Sequence, residues 1–232
     1  MTGPARAMVL AAGFGTRMGA LTAEVPKPLL KVAGRALIDH ALDHLAVSGV
    51  ERAVVNLHYL GGKIREHLAG RTAPQVEFSE ETAILETGGG VAQALPLLGP
   101  APFYCVNADA IWTGPAPLPP LAGAWDGGRM GALLLLVARK DAVSHSGPGD
   151  FFADSDGRLS RRGAAESAPF VYTGAQIIAP GAFADAPEGA FSTNFIWDRL
   201  IREGRLFGVV HSGGWVDVGT PEGLRLAEGM LR

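Results

Sequence analysis

A single cysteine, Cys105, stands in a chain of 232 residues, so no internal disulfide can form and a reduced, cytoplasmic setting is expected. Long apolar runs are also missing. The longest, Ala132 to Ala138, is far too short to cross a bilayer, and the N-terminus lacks the charged-then-apolar pattern of a signal peptide. Positive charge is not in excess: a formal charge of −3 and a pI near 6.1 argue against nucleic acid or anionic membrane as the main partner. Small molecules are the expected partners. No Gly-Lys-Ser/Thr sequence occurs, which removes the P-loop reading, and no His or Cys constellation suited to nucleophilic catalysis is evident. His40 and His44 lie four residues apart, but without a third ligand nearby they read as an ordinary solvated helix face.

Glycine and proline are present in quantity, at 32 and 16 residues, and apolar runs recur between them, so tight turns in a packed α/β protein are expected, not disorder. The stretch Met8 to Leu30 organises the rest. Met8 to Ala12 predicts a buried central strand that breaks at Gly13. Gly13 and Gly15 let the backbone turn sharply and bring its N–H groups close to anionic oxygens. Arg17 adds a planar fork of donors, and Lys27 adds a second cation on backbone stiffened by Pro26 and Pro28. Together they read as a triphosphate cradle. The glycines run Gly13-x-Gly15-x-x-x-Gly19, one residue off the dinucleotide fingerprint, and the acidic residue which that fingerprint needs is misplaced.

Further along, Arg35 to Val47 predicts an amphipathic helix closed by Gly49, followed by a strand over Arg52 to Leu57, a helix over Gly61 to Ala69 and a strand at Val76 to Phe78. This alternation predicts a mostly parallel sheet. Glu86-Thr87-Gly88-Gly89-Gly90 reads as a glycine loop that a flat ligand can approach, leading into a helix through Leu97 or Leu98. Phe103 to Val106 predicts a strand delivering Asn107 and Asp109 at its carboxyl end, where ligands of open α/β sheets gather. Gly114 to Pro120 reads as an extended connection, Gly131 to Arg139 and Phe170 to Ile178 as strands, and Asp154 to Gly157 as a turn. Thr193 or Asn194 is placed to cap a helix with a buried stripe of Phe195, Ile196, Leu200 and Ile201, and Leu206 to His211 returns as a strand.

Two motifs carry a resemblance. Leu10-Ala11-Ala12-Gly13-Phe14-Gly15-Thr16-Arg17-Met18 with Pro26-Lys27-Pro28-Leu29-Leu30, and Trp215-Val216-Asp217-Val218-Gly219-Thr220-Pro221, resemble the signatures of the sugar-1-phosphate nucleotidylyltransferases. The resemblance implies a three-layer αβα, doubly wound, Rossmann-like mostly parallel sheet in one domain over residues 1–232, with nucleotide binding in about 1–112 and sugar binding in about 113–232. It implies UTP and a sugar 1-phosphate as small-molecule substrates, Mg²⁺ as cofactor, and a monomer or weak homo-oligomer. Nucleotide contacts are implied at Leu10, Ala11, Ala12, Gly13, Gly15, Thr16 and Arg17, and at Glu81, Gly88 and Asn107. Sugar contacts are implied at Asn107, Asp150, Tyr172 and Gly174, metal ligation at Asp109 and Asp217, and catalytic roles at Arg17 and Lys27. Glu86 to Gly90 and Gly149-Asp150-Phe151 look like the muramate-type uridylyl branch of that family. Ala108 replaces the more usual glycine, and a Glu-Lys-Pro segment common among relatives is missing near Arg161 and Arg162, which leaves the partner of the sugar phosphate open. The chain ends at Arg232 without a hexapeptide-repeat tail, so acetyl transfer is not expected. A different nucleotide or acceptor, or a non-catalytic nucleotide-sugar binding module, are the rival readings.

Overall fold

A computed structural model describes residues 3–232. Strand β1 (Arg6–Leu10) is followed by two short helical turns (Thr16–Thr22 and Lys27–Leu29), a small ribbon of β2 (Lys31–Val32) and β3 (Arg35–Ala36), and helix α1 (Leu37–Val47). Then come β4 (Arg52–Leu57), α2 (Gly61–Leu68), β5 (Gln75–Glu80), α3 (Glu86–Leu98), β6 (Phe103–Asn107) and β7 (Ala110–Trp112). The second half runs α4 (Pro119–Ala124), β8 (Ala132–Ala138), β9 (Ala142–Val143), β10 (Phe151–Ala153), β11 (Leu159–Arg161) and β12 (Phe170–Ile178). It closes with α5 (Asn194–Arg202), β13 (Leu206–Val210), β14 (Trp215–Asp217) and α6 (Pro221–Met230).

The sheet is parallel across β6-β1-β4-β5, as alternating strands and helices require. It turns mixed beyond β6, because β12 runs antiparallel to both β6 and β8 while β13 lies parallel to β8. A long strand that returns directly between two others needs no crossover helix, and hydrophobic runs alone do not reveal that direction. Successive residues of β1 face opposite sides: Ala7 and Val9 join the core that includes Leu42 and Leu45 of α1, Ile64 of α2 and Leu121 of α4. Met8 joins the other, which includes Val91 of α3 and Ile196 and Leu200 of α5. Helices therefore cover both faces, giving three layers. A third core places α6 over Ile111 and Val216 of a small sheet ordered β7-β14-β9, and over Val218 just beyond it.

Several local expectations are corrected. β1 ends at Leu10, so Ala11 and Ala12 already belong to the loop. Gly88, Gly89 and Gly90 lie within α3, not in a loop. An added Cβ at Gly88 would meet the Phe191 ring, and one at Gly90 would come within 2.7 Å of Glu81 Oε1 and 2.9 Å of Asn56 Nδ2. These glycines serve close packing at the helix start. The proline segment ends in the short helix α4, whose first turn accepts prolines because its N–H groups have no intrahelical acceptor. In α5, Phe195 is exposed and Trp197 is buried in its place beside Tyr172.

Candidate active site

The carboxyl ends of β1, β4 and β6 open into a cavity of about 300 Å³. Of the sequence-predicted residues, Leu10, Ala11, Ala12, Gly13, Gly15, Thr16, Arg17, Lys27, Glu81, Asn107 and Asp109 line it. Gly15 has a φ of 66°, a backbone region that favours glycine, and a Cβ there would sit 3.0 Å from Lys27 Cβ. Its carbonyl accepts from the Met18 N–H at 2.9 Å and the Thr22 hydroxyl at 3.1 Å, which fixes the turn. A Cβ at Gly13 would meet nothing within 4 Å, so a side chain there would intrude on the cavity and not on the protein.

Asn56 was not singled out in the sequence, yet it holds this loop. Its Oδ1 accepts the Ala11 N–H at 2.7 Å, and its Nδ2 donates to Glu81 Oε1 at 2.7 Å. Glu81 also accepts the Leu85 N–H at 3.1 Å, so this buried carboxylate ties β4, β5 and the start of α3 together. The available signal was one amide side chain at the end of an otherwise apolar strand. Gly88 does not line the cavity: the N–H groups of Gly88 and Gly89 donate to the Phe191 carbonyl at 2.8 and 3.0 Å and are not free for a base. Ile84, Glu86 and Thr87 line that end instead, and Glu86 has a φ of 59°, a strained backbone for a residue with a Cβ.

Asp109 follows β6, and Asp217 ends β14. Antiparallel pairing sets Asp217 opposite Ala110, and the Val218 N–H donates to the Asp109 carbonyl at 2.9 Å, so the two carboxylates face one site. Lys27, buried against the loop, pairs its ammonium with Asp109 Oδ2. Arg17 approaches Asp217 Oδ2 at 4.0 Å with most of its side chain exposed. Burial, and then the charge of Asp109, raise the Asp217 carboxyl above its ordinary value, while Lys27, Arg17 and His145 pull it back. Such a pair of anions calls for further cationic charge.

Asn107 leads from this cavity to the second half of the protein. It packs over Gly174, whose φ of 87° accompanies a shift of register between Tyr172 and Gln176 in β12; a Cβ at Gly174 would lie 3.1 Å from Asn107. Asp150 accepts the Tyr172 N–H at 2.9 Å. Asn107, Asp150, Tyr172 and Gly174 all line a second opening, shared with Asp109, Asp217 and His145. Burial raises the Tyr172 phenol well above its ordinary range, so it acts as a neutral group. Arg161 is held by Asp198 and Asn194 over the Phe151 and Trp197 rings, and Arg162 donates to the Ala165 carbonyl; neither lines these openings. The site thus joins a glycine loop, two cations, two carboxylates and an adjoining polar cleft, the parts needed to bring two phosphate esters together.

The MobA-like NTP transferase domain matches residues 7–146. An N-acetylmuramate alpha-1-phosphate uridylyltransferase from Caulobacter vibrioides is 44% identical over 235 residues, covering 98% of this chain and 97% of the relative. A protein of the same description from Neisseria meningitidis serogroup B is 35% identical and covers 97% of each chain. In fold, the structure of a putative glucose-1-phosphate thymidylyltransferase from Bacillus anthracis superposes with a TM-score of 0.83, covering 98% of this chain and 95% of that one at 18% identity. The chain therefore belongs to the MobA-like NTP transferase family and is a nucleotidyltransferase of the nucleotide-diphospho-sugar transferase fold.

Proposed function

We propose that the protein transfers the uridylyl group of UTP to N-acetylmuramic acid 1-phosphate, giving UDP-N-acetylmuramic acid and pyrophosphate. The observation that carries this reading is the facing pair Asp109 and Asp217, set beside the glycine loop, Arg17 and Lys27. Near full-length similarity to two proteins that bear this activity in their names supports the choice of substrates.

A phosphate oxygen of the sugar 1-phosphate attacks the α-phosphorus of UTP. The new P–O bond forms as the bond to the β-phosphate's bridging oxygen breaks, and the electron pair leaves with pyrophosphate. The nucleophile is ionised near neutral pH, so no general base is required and positioning dominates. Loop N–H groups and Arg17 hold the β- and γ-phosphates and the charge that grows on pyrophosphate. Lys27 acts near the α-phosphate, once substrate or metal competes for its partner Asp109. Asn56 and Glu81 fix the loop beneath the nucleotide, and Asn107, Asp150, Tyr172 and Gly174 form the acceptor cleft.

The donor set suits Mg²⁺. Among the described residues no cluster of three or more His, Cys, Asp or Glu side chains is placed to hold a metal, whereas two hard carboxylates completed by phosphate oxygens match the preference of this ion. Asp109 and Asp217 would hold it. When bound, it supplies charge that offsets the repulsion between the two phosphates.

A panel of sugar 1-phosphates with UTP, followed by pyrophosphate release, tests the acceptor. N-acetylmuramic acid 1-phosphate is expected to give the highest kcat/KM; a clear preference for glucose or N-acetylglucosamine 1-phosphate would overturn the muramate assignment.

A further inference from the structure

Next to the nucleotide cavity lies a separate cleft of about 240 Å³, reached past Leu10, Thr87 and Asn107, which line both. Its far wall is the amino end of α5, formed by Ser192, Thr193 and Asn194. Thr193 is 4% exposed, and its hydroxyl is buried without a hydrogen-bond partner. Its backbone N–H is already used by Thr87 Oγ1 at 2.9 Å, so the segment is fixed while the hydroxyl remains free. A buried hydroxyl left unpaired is costly, and a ligand acceptor at this position would satisfy it.

The charge around the two acceptor-side clefts separates their uses. The cleft that opens on Asp109, Asp150 and Asp217 carries three carboxylates, with Arg17 and His145 also on its wall. The cleft at α5 is lined by neutral groups, with hydroxyls and amides at the positive end of a nine-residue helix. Arg161 donates to Asn194 Oδ1 at 2.9 Å and adds a guanidinium at this helix end, partly offset by Asp198. With Asp109 and Asp217 engaged in holding the metal, Asp150 is the carboxylate left to repel an anionic substituent in the first cleft, whereas the second presents no carboxylate to it.

We infer that the cleft at the amino end of α5 receives the carboxylate of the acid side chain on the acceptor sugar, with the Thr193 hydroxyl as its buried donor. This inference rests on the proposed muramate acceptor and deepens it. Thr193 is then a specificity-determining residue, distinguishing sugars that carry the acid ether from those that do not.

The test compares kcat/KM for N-acetylmuramic acid 1-phosphate and N-acetylglucosamine 1-phosphate, both with UTP, in the parent, Thr193→Val and Thr193→Ser proteins. Thr193→Val keeps the side-chain shape without the donor. It is expected to lower the preference for the acid-bearing sugar by about tenfold or more, mainly through KM, while Thr193→Ser restores most of it. Ser192→Ala is the second variant, expected to reduce the same preference by a smaller factor if Thr193→Val does not fold. An unchanged preference in every folded variant, with the parent still favouring N-acetylmuramic acid 1-phosphate, would overturn this inference and leave the proposed function standing. A parent with no preference for the acid-bearing sugar would overturn both.

Discussion

In the proposed reaction Asp109 and Asp217 would hold the metal, and their placement comes from a short antiparallel pairing that no run of adjacent residues displays. Asp109→Asn and Asp217→Asn keep the shape of the side chain and remove its charge. Each is expected to lower kcat by about 100-fold, roughly 2.7 kcal/mol of barrier, with an unchanged circular dichroism spectrum. Turnover within about threefold of the parent for both would remove them from the metal site. Cys105 is the opposite case. It is fully buried in β6, and desolvation pushes its thiol up to about 12. An aromatic disulfide reagent at mildly alkaline pH is expected to leave it untouched until denaturant unfolds the chain; rapid labelling of the native protein would contradict that burial. At this scale the sequence was informative where chemistry and motif coincide, as at Arg17, Lys27 and Asp109, all of which line the cavity. Asn56 carries no such motif, because it accepts the Ala11 N–H from its place on the neighbouring strand β4, a relation set by register and not by spacing.

Among the elements, the start of α3 shows most clearly why a local reading fails. Three successive glycines look like a flexible loop, since each lowers helix propensity. Here they allow the helix to press against the Phe191 segment and the Asn56–Glu81 pair, so packing overrides propensity. Gly88→Ala would place a Cβ against the Phe191 ring and 2.8 Å from its carbonyl oxygen. The expected cost is about 1–3 kcal/mol in chemical denaturation, the reverse of the usual gain from alanine in a helix. Gly62 in α2 supplies the comparison, because a Cβ there meets nothing within 4 Å. Gly62→Ala is expected to stabilise by about 0.5–1 kcal/mol. Equal effects of the two substitutions would show that propensity alone governs both helices. At helix α6, by contrast, local chemistry and structure agree: Thr220 caps it by accepting the Gly223 N–H at 3.1 Å, and Pro221 follows at the first position, where its missing N–H costs nothing.

Over the whole molecule, the parallel half of the sheet followed from alternating apolar runs and helical stripes, whereas the antiparallel return of β12 did not. Hydrophobic periodicity reports which residues are buried, and strand direction depends on connections in space. That return shapes the candidate site: the register shift at Gly174 lets Asn107 pack over β12, and Asn107 lines the main cavity and both neighbouring clefts. No helix among the described residues is long and apolar enough to cross a membrane. In the proposed reaction this arrangement joins a uridylyl group to the acceptor phosphate. Its most direct test is to incubate the purified protein with UTP, N-acetylmuramic acid 1-phosphate and Mg²⁺, and to quantify UDP-N-acetylmuramic acid by mass spectrometry alongside pyrophosphate. The expected result is equal formation of the two products, lost when the metal is chelated; pyrophosphate without the nucleotide sugar, or no product at all, would contradict the account.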